Sequence, residues 1–361
     1  MEVLVIFLSH SRPHMQTVMK RNTARLVAEA LVITYMGLIA YAAHISGIYL
    51  LLFPELAALS HDVITRPRGK WASQPWRMIF TPTLTAILGL FVSRHVSYGA
   101  IAIAAVALGS LLIIKLLRSA IAPAISAGVL PIVLGERSWV YPAAIFAGLV
   151  GLVALLLSWR RYGPRTDHSS TNEAEHSRLV DALETESHDR FWVITLLAFV
   201  LVLGLVAEHT GLRFLLFPPL VVMAYEVFGH PEVPGWMARP ALFPLVCFLT
   251  ASIGLFARLT LHGTFSGVAL TMICSIGILR AFKVHMPPAL AVGILAFVIK
   301  TPNFWYPISV SIGTGGLMMC FWVRGYVLGL FTNKEIANIP AFRNQTGQIT
   351  QSIEPSAEEE L

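Results

Sequence analysis

One pair of basic residues in the first half of this 361-residue chain recurs at the same spacing in the second half. Lys115 and Arg118 correspond to Arg280 and Lys283 at an offset of 165 residues (280 − 115). The members of each pair are three residues apart, which places them on one face of a helix. Such cations can line the route of an anion, or they can anchor a helix end by extending to lipid headgroups. His285 follows the second pair and is a further candidate charge on that route.

Prolines open several apolar stretches at equivalent places. Phe53-Pro54 recurs as Phe217-Pro218 at an offset of 164 (217 − 53), and Pro123 recurs as Pro288 at an offset of 165 (288 − 123). Proline is tolerated in the first turn of a helix, where its missing N–H breaks no hydrogen bond. These positions therefore predict short half-helices that begin inside the apolar region, although the prolines can instead kink continuous helices.

A helix N-terminus carries unpaired N–H groups and a partial positive charge, so facing half-helices predict an anion site without a buried formal charge. The candidate binding residues on this argument are Phe53, Pro54, Glu55, Pro123, Phe217, Pro218, Pro219, Pro287, Pro288, Thr85 and Thr250.

Three polar side chains within these stretches have two interpretations each. Glu55 has no acidic counterpart, because Pro219 occupies the equivalent position. Its carboxylate can bind the N–H groups of its own helix, or it can carry a proton, since burial favours the neutral form. Thr85 and Thr250 can donate hydroxyl groups to a substrate, or they can bond back to their own helices.

Other polar residues predict structural roles. Asp62 is expected to form a salt bridge with Arg66 or Arg77, and a proton site is the alternative role for it. Cys247, Cys274 and Cys320 lie in apolar runs without a CxxC pair, which predicts buried thiols and no metal site. The sequence implies no cofactor.

Composition indicates an all-α, polytopic membrane protein. The chain is 56% hydrophobic and 13% charged, with a mean hydropathy of +0.69, whereas soluble domains are about 25% charged. The net charge of +6 comes from basic residues between apolar segments, which indicates contact with a lipid bilayer and no nucleic acid. Hydrolase, zinc-protease and phosphate-loop motifs are missing from the sequence, so we do not expect an enzyme.

The offsets predict two tandem repeats of about six membrane segments each. The predicted segments are 27–45, 47–64, 77–94, 97–117, 121–135, 139–160, 191–207, 212–228, 240–258, 263–282, 287–300 and 304–323. The basic clusters of the first repeat fall on one side, which predicts parallel repeats with both termini in the cytoplasm. The expected divisions are a cytoplasmic segment 1–25, repeats 26–163 and 191–330, a cytoplasmic linker 164–190 and a cytoplasmic tail 331–361.

No secretory signal pattern is present at the N-terminus, so a bacterial inner membrane is the expected location. The sequence leaves the oligomeric state open, a homo-oligomer included.

The segment before the last short helix resembles a known family. His285-Met286-Pro287-Pro288 follows a basic helix end and precedes small residues, as in the HPP family of integral membrane proteins. That family is named for a His-Pro-Pro motif, and some of its members are implicated in nitrite transport. Met286 stands where the motif has histidine, and Ile121-Ala122-Pro123 occupies the equivalent place in the first half. The resemblance implies transport of a small anion such as nitrite.

Two alternatives remain open at this point. One is a proton-coupled carrier of another small solute, for which Glu55 is the discriminating residue. The other is a membrane scaffold or sensor without a transport pathway, because duplication stabilises a helical bundle without creating one.

Overall fold

The computed structural model describes residues 2–163, 191–230, 241–284 and 286–327, with side chains described from residue 23 to residue 326. All regular secondary structure in these ranges is helical. The linker 164–190, the tail 331–361 and His285 lie outside the described residues, so the expectations for them stay predictions.

Twelve α-helices occupy the described ranges. In the first half they are α1 (Glu2–Ser46), α2 (Pro54–Thr65), α3 (Pro75–His95), α4 (Ala100–Leu116), α5 (Ala124–Leu134) and α6 (Val140–Tyr162). In the second half they are α7 (Trp192–Thr210), α8 (Pro218–Gly229), α9 (Leu242–Leu261), α10 (Phe265–Phe282), α11 (Pro288–Val298) and α12 (Trp305–Val327). Short 3-10 helices, Tyr49–Leu51 and Arg213–Leu216, precede α2 and α8.

The first helix extends beyond the first predicted membrane segment, 27–45. Helix α1 begins at Glu2, so the backbone of the expected N-terminal segment 1–25 continues the first helix. The part Thr23–Ser46 of this helix is long and apolar enough to cross a membrane. A helix can continue into water beyond its apolar part, and hydropathy alone does not indicate where it starts.

Seven of the described helices are long and apolar enough to cross a membrane, which makes the chain a multi-pass membrane protein. They are the Thr23–Ser46 part of α1 together with α3, α6, α7, α9, α10 and α12. By contrast, α2, α5, α8 and α11 have only 11 or 12 residues. Such helices rise roughly 17 Å, about half the thickness of a hydrocarbon core.

The four short helices form the interior of the bundle. Every residue of α11 is buried, as are all residues of α2 up to Ile64 and nearly all residues of α5 and α8. Pro54, Pro218 and Pro288 occupy the first helical position, and Pro123 caps α5 one residue before its start. Broken helices at membrane depth are tolerated where protein surrounds them, and the longer helices supply that surround here.

Four helix pairs join the two halves of the chain. Helix α2 packs on α11 and α5 packs on α8, while α1 packs on α10 and α4 packs on α7. The first turns of α2 and α5 were expected to face one another, and Glu55 of α2 does lie beside Ser126 of α5, but along their lengths the two helices pack on partners in the other half. Hydrophobic patterning identifies which residues are buried but not which helix buries them, and here the short helices exchange partners between the halves.

Close backbone contacts recur at the sequence offset. A Cβ added to Gly89 of α3 would overlap the carbonyl oxygen of Gly128 in α5, and one added to Gly254 of α9 would overlap that of Gly293 in α11. Glycine pairs of this kind let membrane helices approach backbone to backbone. The Tyr141 hydroxyl donates to the Ala127 carbonyl at 2.6 Å, and the Tyr306 hydroxyl donates to the Val292 carbonyl at 2.5 Å.

Candidate functional site

A cavity of about 320 Å³ lies at the N-terminal end of α11. We call it the Pro287 cavity and define it by its lining residues, Arg25, Glu29, His61, Ile276, Leu279, Arg280, Lys283, Val284, Met286 and Pro287. Three of these residues are cations and one is a carboxylate, so the cavity is positively charged. Helix α11 directs its N-terminus, the positive end of its dipole, toward the same space.

Helices α1 and α10 meet at this cavity through one carboxylate. Glu29 accepts hydrogen bonds from Arg280 at 2.5 Å and from Arg25 at 3.3 Å. The side chain of Glu29 is 6% exposed, while those of Arg280 and Arg25 are 38% and 62% exposed. One carboxylate therefore orients two guanidinium groups without neutralising both.

Lys283 reaches the cavity from a strained backbone position. It follows α10 with a φ of 53°, in the left-handed region that glycine normally occupies. Its N–H donates to the carbonyl of Arg280, and the N–H of Val284 donates to that of Leu279, which closes the end of the helix. This turn directs the chain from α10 into the Met286-Pro287 segment.

A second cavity of about 350 Å³ lies at the other end of α11. We call it the Lys300 cavity, lined by Val133, Leu134, Gly211, Leu212, Arg213, Phe214, Ile299, Lys300, Thr301, Asn303, Trp305, Tyr306 and Ser309. Its charged lining residues are Arg213 and Lys300. The Arg213 guanidinium lies over the ring of Tyr98 at 4.9 Å from the centroid. The same buried helix thus separates two cavities that both carry cations.

Several first-turn N–H groups of the short helices, which were expected to be free, donate to backbone carbonyls. These hydrogen bonds run from Leu56 to Phe53, Ala124 to Ile121, Ile125 to Ala122, Leu220 to Phe217, Ala289 to Met286 and Leu290 to Pro287. These donors bind carbonyl groups three residues earlier, because 3-10-type bonds close each first turn. The prolines themselves have no N–H. Positive charge near α11 is therefore provided by side chains and the helix dipole.

The predicted threonine ligands form backbone hydrogen bonds. The Thr85 hydroxyl contacts the carbonyl of Ala124 in α5 at 2.6 Å, and the Thr250 hydroxyl donates to the Cys247 carbonyl at 3.1 Å. Both threonines are fully buried. Thr85 thus connects α3 to α5, and Thr250 bonds within α9.

The other candidates divide by burial. Phe53, Glu55 and Phe217 are buried, and Pro219 lies within the buried α8. Glu55 faces Ser126 at the start of α5. By contrast, Lys115 and Arg118 are exposed and lie outside the lining of both named cavities.

Asp62 binds Arg66 at 2.6 Å, so the predicted local salt bridge is confirmed. In the described part of the chain, no group of three His, Cys, Asp or Glu side chains has the arrangement needed to hold a metal ion.

Among the charged and histidine residues of the two cavities, sequence reasoning missed five, namely Arg25, Glu29, His61, Arg213 and Lys300. A signal existed for some of them, because ionisable residues at the margin of an apolar segment are rare and often functional. Glu29 in α1 and His61 in α2 are both such residues. Their convergence with Arg280 depends on α1 packing on α10, which no local spacing indicates.

Comparison with protein-family models, curated proteins and solved structures found no match for this chain.

Proposed function

We propose that this chain transports a small inorganic, nitrite-like anion across a lipid bilayer. The pathway runs from the Pro287 cavity along α11 to the Lys300 cavity. The main support for this proposal is that each end of the short buried helix α11 lies at a cavity lined by cations.

Electrostatics favours this substrate class. An anion leaving water for the membrane interior loses hydration, and the cost increases with the length of the low-dielectric path. Helix α11 has 11 residues and rises roughly 17 Å, so the barrier is about half as long as a full hydrocarbon core. Arg280 and Lys283 at one end, and Arg213 and Lys300 at the other, attract anions and oppose the entry of cations.

The proposed architecture is a pair of parallel repeats related by a pseudo-two-fold axis along the membrane normal. The exchange of partners between halves supports it, since α2 on α11 and α5 on α8 are equivalent pairs. The recurrent glycine contacts and tyrosine hydrogen bonds support it as well. In transporters built from repeats, the substrate site lies at the repeat interface near the midplane, and we assign the buried short helices of this chain to that position.

The family, location and orientation are part of the same proposal. The Met286-Pro287-Pro288 turn, which lines the Pro287 cavity through its first two residues, supports membership of the HPP family. The bias of basic residues supports an inner-membrane location with both termini in the cytoplasm. In that orientation the Pro287 cavity faces the cytoplasm.

A flux screen on purified protein tests the function. The full chain is reconstituted into proteoliposomes, and uptake of nitrite, nitrate, formate, sulfate and chloride is measured against empty vesicles. We expect uptake of at least one monovalent anion, and weaker uptake at high salt because the cavity cations are partly exposed. Absence of uptake for all five anions, with correct insertion verified, would contradict transport and favour a scaffold or sensor.

A matched pair of substitutions tests the pathway. Lys283→Gln removes a cation from the Pro287 cavity, whereas Arg118→Gln removes one from the equivalent exposed position. We expect Lys283→Gln to reduce anion flux about tenfold, which corresponds to roughly 1.4 kcal/mol, and Arg118→Gln to leave it near wild type. If both variants lose flux equally, a cation in each half contributes to the route. If both keep wild-type flux, neither cation lines the route and both serve as lipid anchors.

A further inference from the structure

An unpaired carboxyl group lies where the first turns of α2 and α5 meet. Glu55 and Ser126 are both 1% exposed. The Glu55 carboxyl group lies beside the Ser126 hydroxyl, yet Glu55 Oε1 and Ser126 Oγ each lack a hydrogen-bond partner of normal geometry. The ion pairs found among the described residues do not include Glu55. An ionised Glu55 would therefore be an uncompensated charge.

The groups around Glu55 do not supply the missing positive charge. Tyr141 of α6, Glu226 of α8 and Tyr306 of α12 lie within electrostatic range of it. Both tyrosine hydroxyls donate to backbone carbonyls instead. Helix α11, which packs along α2, has no titratable residue between Pro288 and Val298.

The charged residues near α2 gather at its other end. His61 lies six residues after Glu55, about 9 Å along the helix axis, and lines the Pro287 cavity with Arg25 and Glu29 of α1. Asp62 is paired with Arg66. On α1, the hydroxyl of Tyr35 donates to the Gly148 carbonyl at 2.6 Å.

Glu55 lies between the two cavities. His61, on the same helix, lines the Pro287 cavity, and Tyr306, within electrostatic range of Glu55, lines the Lys300 cavity. Because α2 packs along α11, the carboxyl group lies near the helix that connects these cavities. A proton on Glu55 is thus placed near the middle of the proposed route.

We propose that Glu55 carries a proton that accompanies each transported anion, an inference that rests on the anion transport proposed above. Burial without a cation favours the neutral carboxyl group. A nearby anion makes ionisation of Glu55 still less favourable, so it strengthens proton binding. By linkage, the bound proton strengthens anion binding by the same factor. The proton enters from water in one cavity and leaves to water in the other.

The test uses nitrate and chloride, whose conjugate acids are strong, so that neither probe carries a proton through the lipid. Proteoliposomes of the full chain contain a pH-sensitive dye, and an inward anion gradient is applied in buffer without a permeant weak acid. We expect the vesicle interior to acidify during uptake. The initial rate should decrease as the external pH increases, following a single titration.

Neutralising two different buried carboxyl groups distinguishes a specific role of Glu55 from the effect of removing any buried carboxyl group. Glu55→Gln should transport the probe with at least a tenfold smaller acidification per anion and with a rate independent of pH. Glu226→Gln removes a second buried carboxyl group from α8 and should keep the acidification. Glu55→Asp, which restores a shorter carboxyl group, should recover part of it.

The possible failures are distinguishable. Wild-type uptake without acidification, or with a flat pH profile, would overturn proton coupling and leave anion transport in place, and this result needs no variant to fold. Acidification that persists in Glu55→Gln, or disappears only in Glu226→Gln, would overturn the assignment to Glu55. Absence of uptake for nitrate, chloride and the other screened anions would overturn both proposals.

Discussion

The ends of α4 and α10 share one backbone design and differ in what surrounds them. After α4, Arg118 adopts a φ of 48°, and its N–H donates to the carbonyl of Lys115. After α10, Lys283 adopts a φ of 53°, and its N–H donates to the carbonyl of Arg280. In both turns a basic residue holds a left-handed conformation that costs an L-residue about 1–2 kcal/mol.

The neighbours of these turns differ because each packs on a different helix. Helix α1 lies against α10 and brings Glu29 to Arg280, whereas α7 lies against α4 and has Val193 at the position equivalent to Glu29 (193 − 29 = 164). The Pro287 cavity therefore forms at the end of α10 with an oriented cation pair. The two turns thus share a backbone conformation, whereas a charged cavity forms at only one of them.

The largest expected effect tests the shared backbone. Gly89→Ala and Gly254→Ala each place a Cβ against a carbonyl oxygen of the crossing short helix. We expect both to lower the free energy of unfolding by about 3 kcal/mol or more, since neither backbone contact can relax without moving α5 or α11. Thermal unfolding of the purified protein in detergent measures the loss.

Gly277→Ala is the control for these variants, because nothing lies within 4 Å of its added Cβ in α10. It should be neutral or stabilising by up to about 1 kcal/mol. A large loss at Gly254 with none at Gly89 would show that the two halves do not share this packing.

A smaller effect tests the difference between the halves. Glu29→Gln removes the carboxylate of the Pro287 cavity and leaves two guanidinium groups facing any bound anion. We expect the half-saturating anion concentration to decrease roughly fivefold, or about 1 kcal/mol. Glu136→Gln, with the same change of formal charge at the loop after α5, should leave that concentration unchanged. If the half-saturating anion concentration is unchanged in Glu29→Gln, the Pro287 cavity is not part of the anion pathway.

The smallest effect concerns the two left-handed residues. Lys283→Gly and Arg118→Gly relieve the same backbone strain. The greater freedom of glycine in the unfolded chain offsets part of this gain, so each variant should stabilise the folded protein by about 0.5 kcal/mol. Only Lys283→Gly should also reduce anion flux, because only Lys283 lines a cavity. A decrease in flux for Arg118→Gly, or a loss of stability in either variant, would contradict this account.

Much of the fold was predictable from the sequence because apolar runs and prolines act locally. The predicted segment 139–160 is close to α6, and the break at Pro54 is the observed start of α2. The partners of the short helices were not predictable, since a helix buried on all sides, such as α11, has no polar face to indicate its orientation. The Pro287 cavity was not predictable either, because Glu29 and Arg280 are far apart in the chain and meet only through helix packing.

The shortness of α11 has an electrical consequence. On the proposed pathway, the water in each cavity is at nearly the same electrical potential as the solution on that side of the membrane. A transmembrane voltage therefore falls mainly across the roughly 17 Å that α11 rises. The local field is then about twice that across an undisturbed core of roughly 30 Å. One monovalent anion crossing this layer still gains or loses about 2.3 kcal/mol per 100 mV. A co-transported proton cancels that work, so uptake coupled one to one through Glu55 would leave the membrane potential unchanged.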